Sequence, residues 1–342
     1  MSNNKRARMV TSVRRYLLTA AALTGLHLCA SAQANDWIRR DSTVWGARNG
    51  IVVGLWPAAI ENLKQGANGG PRGLFRIGYE YMGLVYHINY MAVEPVVNGR
   101  IEFSEISPSA SDGKWGKLMW VSDTFNTPDA VGMYVQIEQF ANGAHPYLKL
   151  SIFRNRPEEV CIEVFHHPDS APMERCGITA TMGNYSRLRK LYLKDSVVNA
   201  RALYAGFDGI DFIEKSPYPA DRMRRGKNGD WIVAATPDES FAELAAWPQQ
   251  PAYLMRWNWR YRPFYMLTQY WRKEKKDADA SLQVRVNGRA KYWNGGGNDP
   301  KHYIDIPGGP SFENFELRER YVPGQRFYFG LSRKTAEELL SL

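Results

Sequence analysis

The sequence has 342 residues, with 44 lysines and arginines against 35 aspartates and glutamates, which gives a formal charge of +9. Five of the basic residues lie in the first 34 positions, where no acidic residue occurs, so the remainder carries +4. This mild charge gives no indication of a nucleic-acid partner, although it suits an acidic polysaccharide.

The first 34 residues have the three parts of a secretory signal peptide. Basic residues come first, an apolar stretch follows at 16–30, and small residues end the segment at Ala34. The apolar stretch is too short for a membrane span, and no later stretch predicts one. We therefore expect a periplasmic or extracellular protein that begins at residue 35. A lipid anchor on Cys29, within the apolar stretch, is the alternative.

Strand patterns dominate the remaining chain. The segments are short, rich in aromatic and β-branched residues, and separated by Gly, Pro and Asn. They cover 73–81, 86–97, 132–140, 147–153, 159–167, 253–261, 281–288 and 326–332. The sequence Val-Asn-Gly-Arg occurs at 97–100 and at 286–289, and each Asn-Gly pair predicts a tight hairpin.

Two helices are predicted from capping boxes, one beginning at Thr236 with Glu239 and one at Thr335 with Glu338. The pattern as a whole predicts an all-β fold. We expect a large antiparallel β-sandwich, of the super-sandwich or jelly-roll type, with one or two short peripheral helices. One domain over 35–342 is favoured, and a sandwich with a small second β domain is the alternative.

Two cysteines, Cys161 and Cys176, remain after export, and an oxidising compartment predicts a disulfide between them. His166 and His167 lie between the cysteines. Neighbouring side chains on a strand point to opposite faces, so these histidines do not suit one metal ion, and no metal site is predicted. Either one histidine is buried and the other exposed, or one faces a cleft as an acid or base.

The segment 87–95 supplies candidate catalytic groups. Strand alternation places His87 with Asn89 on one face, and Tyr90 with Glu94 on the other. A carboxylate beside aromatic residues suits a general acid, and His87 is a further acid or base.

The segment 312–319 supplies a second carboxylate. Alternation places Glu313 beside Phe315, with Asn314, Glu316 and Arg318 opposite. Glycosidic cleavage commonly uses two carboxylates separated by roughly 5–10 Å. Glu94 and Glu313 are therefore the predicted catalytic pair, and a salt bridge at a strand end is the alternative for Glu94.

The segment 179–195 favours different chemistry. Removal of the proton beside a uronate carboxylate needs a base, often Tyr or His, and groups that neutralise the carboxylate. Tyr185 is the candidate base, and Asn184, Arg187 and Arg189 are candidate substrate contacts. An ordinary solvated strand would also explain this segment.

The chain contains 11 tryptophans and 19 tyrosines. Trp115 and Trp120 are predicted at the rim of a groove that binds sugar rings, and Arg260 is a predicted polar contact. The same aromatic residues would equally suit a sandwich core. Asp208 and Asp211 are interpreted in one of two ways: they supply oxygen ligands for calcium, or they belong to a turn. No nucleotide-binding motif is present, and no cofactor is predicted.

Four stretches, GPRGLFRIGY, AVEPVV, ITATMGNYSRLRKLYLKD and IPGGPSFENFELRE, resemble secreted β proteins of polysaccharide-degrading bacteria. The general organisation is similar to the β-super-sandwich of galactose mutarotase-like proteins, which include sugar epimerases and domains of polysaccharide lyases and glycosidases. The resemblance implies carbohydrate chemistry. We expect an enzyme that cleaves a polysaccharide or oligosaccharide, with a glycoside hydrolase favoured. A polysaccharide lyase for uronate-containing glycans and a non-catalytic glycan-binding protein are the alternatives.

Overall fold

The structure is a computed structural model that describes residues 37–41, 44–55, 73–105, 116–181, 188–213, 216–238, 259–260, 267–293 and 303–341. Residues 38–342 form one unit, separate from a unit of residues 1–37 in which Trp37 is described. No helix in these ranges is long and apolar enough to cross a membrane.

Two large sheets contain most of the described strands. The first sheet has the spatial order β1 (Trp37–Asp41), β2 (Val44–Ala47), β3 (Ile51–Gly54), β4 (Phe75–Tyr81), β5 (Leu84–Val97), β11 (Arg175–Thr181), β22 (Ser311–Arg318), β19 (Gln283–Arg289) and β14 (Ser216–Pro219). Two further short strands pair with β5, namely β6 (Arg100–Ile101) and β17 (Trp259–Arg260).

The second sheet has the spatial order β13 (Val197–Asn199), β12 (Leu188–Tyr192), β16 (Trp231–Pro237), β18 (Thr268–Lys273), β23 (Gln325–Ser332), β10 (Glu159–His166), β9 (Pro146–Phe153), β8 (Ala130–Ile137) and β7 (Met119–Asn126). The short strand β15 (Arg224–Arg225) pairs with β16, and a separate hairpin joins β20 (Lys291–Trp293) and β21 (Tyr303–Asp305). The central strands of both large sheets pair in antiparallel fashion.

The two sheets pack face to face. Trp271 of β18 contacts the ring of Phe315 of β22, and its Nε1 donates a 2.9 Å hydrogen bond to the Phe315 carbonyl. Asn89 of β5 donates to Gln269 of β18 across the same interface at 2.9 Å. The prediction of an all-β antiparallel sandwich is confirmed.

The two α-helices within the described ranges are short and peripheral, as predicted. Helix α1 (Ala200–Leu203) follows Asn199, which caps it, and α2 (Ala336–Leu340) follows Thr335. The capping box between Thr335 and Glu338 is present. Helix α2 packs on Ile232 and Tyr270, on the side of the second sheet that faces away from the first.

The helix predicted from Thr236 is wrong at its start, because Thr236 and Pro237 belong to β16 and Thr236 pairs with Lys190 of β12. The predicted positions 239–247 lie outside the described residues. A capping pattern is a local signal, whereas Thr236 and Pro237 are held by cross-strand pairing.

The two Asn-Gly pairs differ in the structure. Asn98 and Gly99 have positive φ and connect β5 to β6, which confirms that hairpin. Asn287 and Gly288 lie inside β19, where the pairing with β22 shifts register, so a hairpin there is wrong. A Cβ on Gly288 would lie 2.4 Å from the ring of Tyr204, so this glycine permits a close contact instead.

The predicted disulfide is also wrong. Cys161 and Cys176 are free thiols on β10 and β11, which belong to different sheets. Burial raises the pKa of Cys161 to about 12, and burial likewise raises the pKa of Cys176. Both cysteines are 1% exposed, so each behaves as a small apolar core residue.

We predict that reduction does not change stability. The protein should melt at the same temperature with and without dithiothreitol, because no disulfide links the described cysteines. Ellman's reagent should react with Cys161 and Cys176 only after denaturation, since both thiols are buried. A melting temperature that falls in dithiothreitol would show that the two cysteines are bonded.

Candidate functional site

The first sheet concentrates charged side chains on the face that points away from the second sheet. On β22, Phe315 points into the interface between the sheets, so Glu316 and Arg318 point the other way. We call this surface the charged face. Its members are Arg76, His87, Tyr90, Glu94, Thr179, Arg285, Glu316 and Arg318.

Glu316 lies at the centre of the charged face and is fully buried. Its carboxylate accepts a hydrogen bond from the Arg285 guanidinium, and a second of 2.8 Å from the Thr179 hydroxyl. Cross-strand pairing sets both contacts, since Glu316 pairs with Thr179 on one side and Arg285 on the other. The Arg285 side chain is 14% exposed, so the cluster reaches solvent at this arginine.

Glu94 approaches the same cluster from β5. It pairs with Gly177 of β11, and a Cβ built on Gly177 would lie 3.7 Å from the Glu94 Cβ and 3.9 Å from Glu316 Oε2. The two glutamates therefore lie on either side of a position that has no side chain. Glycine has an ordinary φ here, so a larger residue would be compatible with the backbone.

Arg318 adds a positive charge beside these carboxylates. It is 8% exposed, and burial, followed by the charge of nearby Arg285, lowers its pKa. The charges of Glu316 and Glu94 act in the opposite direction. Two arginines and two glutamates thus share one buried region, in which their formal charges balance.

His87 and Arg76 form the other end of the charged face. The His87 ring lies 4.4 Å from the Tyr90 ring, and the Arg76 guanidinium lies 5.4 Å from the same ring. Complete burial, followed by the positive charge of Arg76, lowers the pKa of His87 well below 6.5. His87 is therefore neutral at physiological pH.

The predicted grouping of His87 with Asn89 is wrong. The pairing of β4 with β5 shifts register, because Gly78 pairs with His87 and Ile77 pairs with Asn89. The extra residue in β5 turns His87 to the side of Tyr90, while Asn89 bonds to Gln269 of the second sheet.

Glu313 does not lie beside Gly177. It lies at the register shift between β22 and β19, and its carboxylate accepts a 3.4 Å hydrogen bond from Arg289. The structure thus places Glu316, rather than Glu313, next to Glu94 across β11. The same shift pairs Phe312 with Gly288, and Phe312 packs against Tyr204.

Two predicted substrate contacts lie elsewhere. Arg189 of β12 is fully buried and donates to the backbone carbonyls of Pro307, Gly309 and Pro310. Trp120 of β7 is 41% exposed and belongs to the second sheet. Neither residue is part of the charged face.

The remaining predicted contacts are only partly described. Tyr185, Asn184, Arg187 and Trp115 lie outside the described residues. Arg260 belongs to β17, where its backbone pairs with Tyr86 of β5. This pairing brings the Arg260 backbone next to the strand that carries His87 and Glu94.

His166 and His167 do point in different directions, as predicted. His166 bonds to the Tyr321 hydroxyl at 2.8 Å, whereas His167 bonds to Gln136 and packs on the His145 ring. His166 is exposed and His167 is partly buried. Among the described residues, no group of three or more His, Cys, Asp or Glu side chains is arranged to hold a metal ion.

Sequence comparison gives this chain no family: no protein-family model matches it, and no curated protein matches it. A GH31 family sulfoquinovosidase from E. rectale, solved with an aza-sugar inhibitor, is 9% identical, with a TM-score of 0.26 over 84% of this chain. The structure of HI1317 is 8% identical, with a TM-score of 0.23 over 76% of this chain and 92% of that protein. The chain covers 32% of the sulfoquinovosidase. At these TM-scores neither similarity carries an argument about function.

We predict that His87 makes folding sensitive to acid. Its pKa is lowered in the folded state, so below the unfolded pKa of 6.5 the unfolded chain binds a proton that the folded protein excludes. The associated stability is present above pH 6.5 and is lost as the pH falls, by about 1.4 kcal/mol per pH unit until the folded pKa is reached.

Urea denaturation between pH 7.5 and 5 measures this effect. The His87→Asn variant should show a shallower loss of unfolding free energy than the parent protein. His166→Asn, at an exposed position, should keep the parental slope. Equal slopes for the parent and His87→Asn would contradict the assignment of a neutral buried His87.

Proposed function

We propose that this protein is a carbohydrate-active enzyme that cleaves glycosidic bonds of a polysaccharide or oligosaccharide at the charged face. The observation that supports this proposal most directly is the placement of Glu94 and Glu316 around Gly177. Two carboxylates on one face of the sheet, with no side chain between them, match the residue types that glycosidic hydrolysis needs.

The two glutamates have different surroundings, which supports different roles. The Arg285 guanidinium and the Thr179 hydroxyl stabilise the negative charge of Glu316, so Glu316 would act as the ionised nucleophile or base. Glu94 pairs with Gly177, is 3% exposed, and would protonate the departing glycosidic oxygen.

The arginines support an acidic substrate. Arg285 is the member of the charged face at which solvent reaches the Glu316 cluster, and Arg318 lies nearby. A guanidinium at this entrance would bind the carboxylate or sulfate of a charged glycan. The predicted signal peptide at 1–34 supports a periplasmic or extracellular location, where such polymers are encountered.

A second candidate function, polysaccharide lyase, is supported by the other end of the same face. Elimination requires a base that removes the proton beside a uronate and a cation that neutralises its carboxylate. The neutral His87, next to Tyr90 and Arg76, supplies both residue types. A third possibility, glycan binding without cleavage, would use the same arginines.

We predict that Glu94→Gln and Glu316→Gln each lower the rate of glycan cleavage by about 10²–10⁴-fold, because each removes a proton-transfer or nucleophilic group. Glu313→Gln should keep activity within a few-fold of the parent, since Glu313 pairs with Arg289 away from Gly177. Glu163→Gln, on the second sheet, is the control for loss of a carboxylate elsewhere.

A panel of acidic and neutral polysaccharides, assayed for new reducing ends, measures these rates. Full activity in Glu94→Gln or Glu316→Gln would overturn the hydrolase proposal. Products that absorb at about 235 nm, as an unsaturated uronate does, and that disappear in His87→Asn would favour the lyase. Retardation of the protein in a gel that contains the glycan, without any cleavage product, would favour glycan binding as the function.

A further inference from the structure

A pocket of about 330 Å³ opens on the side of the second sheet that faces away from the first. The turn after β9, the turn between β15 and β16, strand β18 and helix α2 surround it. None of its lining residues belongs to the charged face. Its volume is at the small end of ligand sites, which span roughly 300–1,000 Å³, so it suits a single sugar-sized molecule rather than a polymer.

One wall of the pocket is apolar. Tyr270 lies against β23 at Gly330, where a Cβ would come within 2.0 Å of the Tyr270 ring. Ile232 and Leu339 continue this wall. Tyr270, Ile232 and Leu339 are 4%, 8% and 9% exposed, so each presents only a small apolar edge to the pocket.

The base of the pocket is a fixed network of charges. Arg272 donates to both oxygens of Glu159, at 3.0 and 2.9 Å, and to Asp230 at 2.8 Å. The Arg272 guanidinium also lies 3.8 Å from the Tyr328 ring, which fixes its plane. Glu159 and Asp230 therefore share one arginine partner, whose single positive charge balances one of the two carboxylates.

The rim of the pocket is positively charged. Lys227 and Lys334 are exposed lining residues, and neither forms an ion pair with a carboxylate of the described residues. Arg156 contacts Glu159 at 3.3 Å while its side chain remains 41% exposed.

The charged lining residues are Arg156, Lys227, Arg272 and Lys334 against Glu158, Glu159 and Asp230, which gives the pocket a formal charge of +1. Glu158 accepts hydrogen bonds from Tyr79 and Ser332 rather than from an arginine. The exposed Lys227 and Lys334 therefore supply the positive charge that a ligand can reach.

We infer that this pocket binds a monosaccharide-sized molecule that carries a carboxylate, sulfate or phosphate group. The oxyanion would be held by Lys227, Lys334 and Arg156, and the ring would lie beside the apolar edges of Ile232 and Leu339. The inference does not depend on cleavage at the charged face, because the two regions share no residue.

Isothermal titration calorimetry on the intact protein tests this inference. Glucuronate, glucose 6-sulfate and glucose 6-phosphate are the anionic probes, glucose is the neutral control, and inorganic phosphate and sulfate test the anion alone. We expect at least one sugar anion to bind roughly tenfold or more tightly than glucose and than the free anion. Added salt should weaken this binding, since the lysines are exposed.

The variant Lys227→Ala/Lys334→Ala should weaken the Kd of the sugar anion roughly tenfold or more, with an unchanged melting temperature in the absence of ligand. The matched control Lys194→Ala/Arg320→Ala removes two positive charges from exposed positions outside the pocket and should bind as the parent does. Unchanged binding in the lysine variant, equal loss in both variants, or no preference over glucose would overturn the inference.

Variants of the charged face distinguish binding in the pocket from binding at the charged face. Glu94→Gln and Glu316→Gln should leave the Kd of the sugar anion unchanged, because both glutamates lie on the first sheet. Loss of the titration heat in those variants would place the bound ligand at the charged face instead, and would overturn the inference for the pocket.

Discussion

The alternation of side chains along β5, β11, β22 and β19 decides which groups face the second sheet, and one register shift in β5 and one between β19 and β22 reset it. Each of these strands contributes apolar residues to the interface with the second sheet and polar residues to the opposite side. On β22 the alternation separates Phe315, which meets Trp271, from Glu316, which meets Arg285. The packing that stabilises the sandwich therefore also fixes the position of the charged groups.

The charges on this face are costly for folding. Removing one partner of a buried ion pair typically destabilises a protein by about 3–5 kcal/mol, whereas apolar replacements of both partners are often neutral. Stability therefore does not explain why Glu316, Arg285 and Arg318 are gathered on one side of the first sheet. Such clusters commonly mark a functional site, and this is the physical reason for placing the proposed glycan chemistry here.

The sequence predicted most strands correctly because their aromatic and β-branched patterns are local. Alternation also correctly grouped Glu316 with Asn314 and Arg318. It failed at His87, since a bulge depends on the partner strand and reverses the faces on one side of it. Arg285 lies between two valines of β19, and this pattern would have indicated a polar face, but its partner Glu316 is 31 residues away.

The prediction of a disulfide between Cys161 and Cys176 was wrong for a related reason. The expectation rested on compartment and loop length, whereas the chain crosses from the second sheet to the first between these residues. The sites that matter for function are likewise assembled from distant strands. Neither the Glu94 and Glu316 pair nor the pocket beneath α2 is visible as a motif in the sequence.

The most direct test of the central claim is a crystal structure of Glu316→Gln soaked with an oligosaccharide that the parent protein binds or cleaves. The account predicts electron density for the glycan over Gly177, with a glycosidic oxygen near Glu94 and an acidic group near Arg285. A glycan bound elsewhere, with the charged face unoccupied, would contradict it.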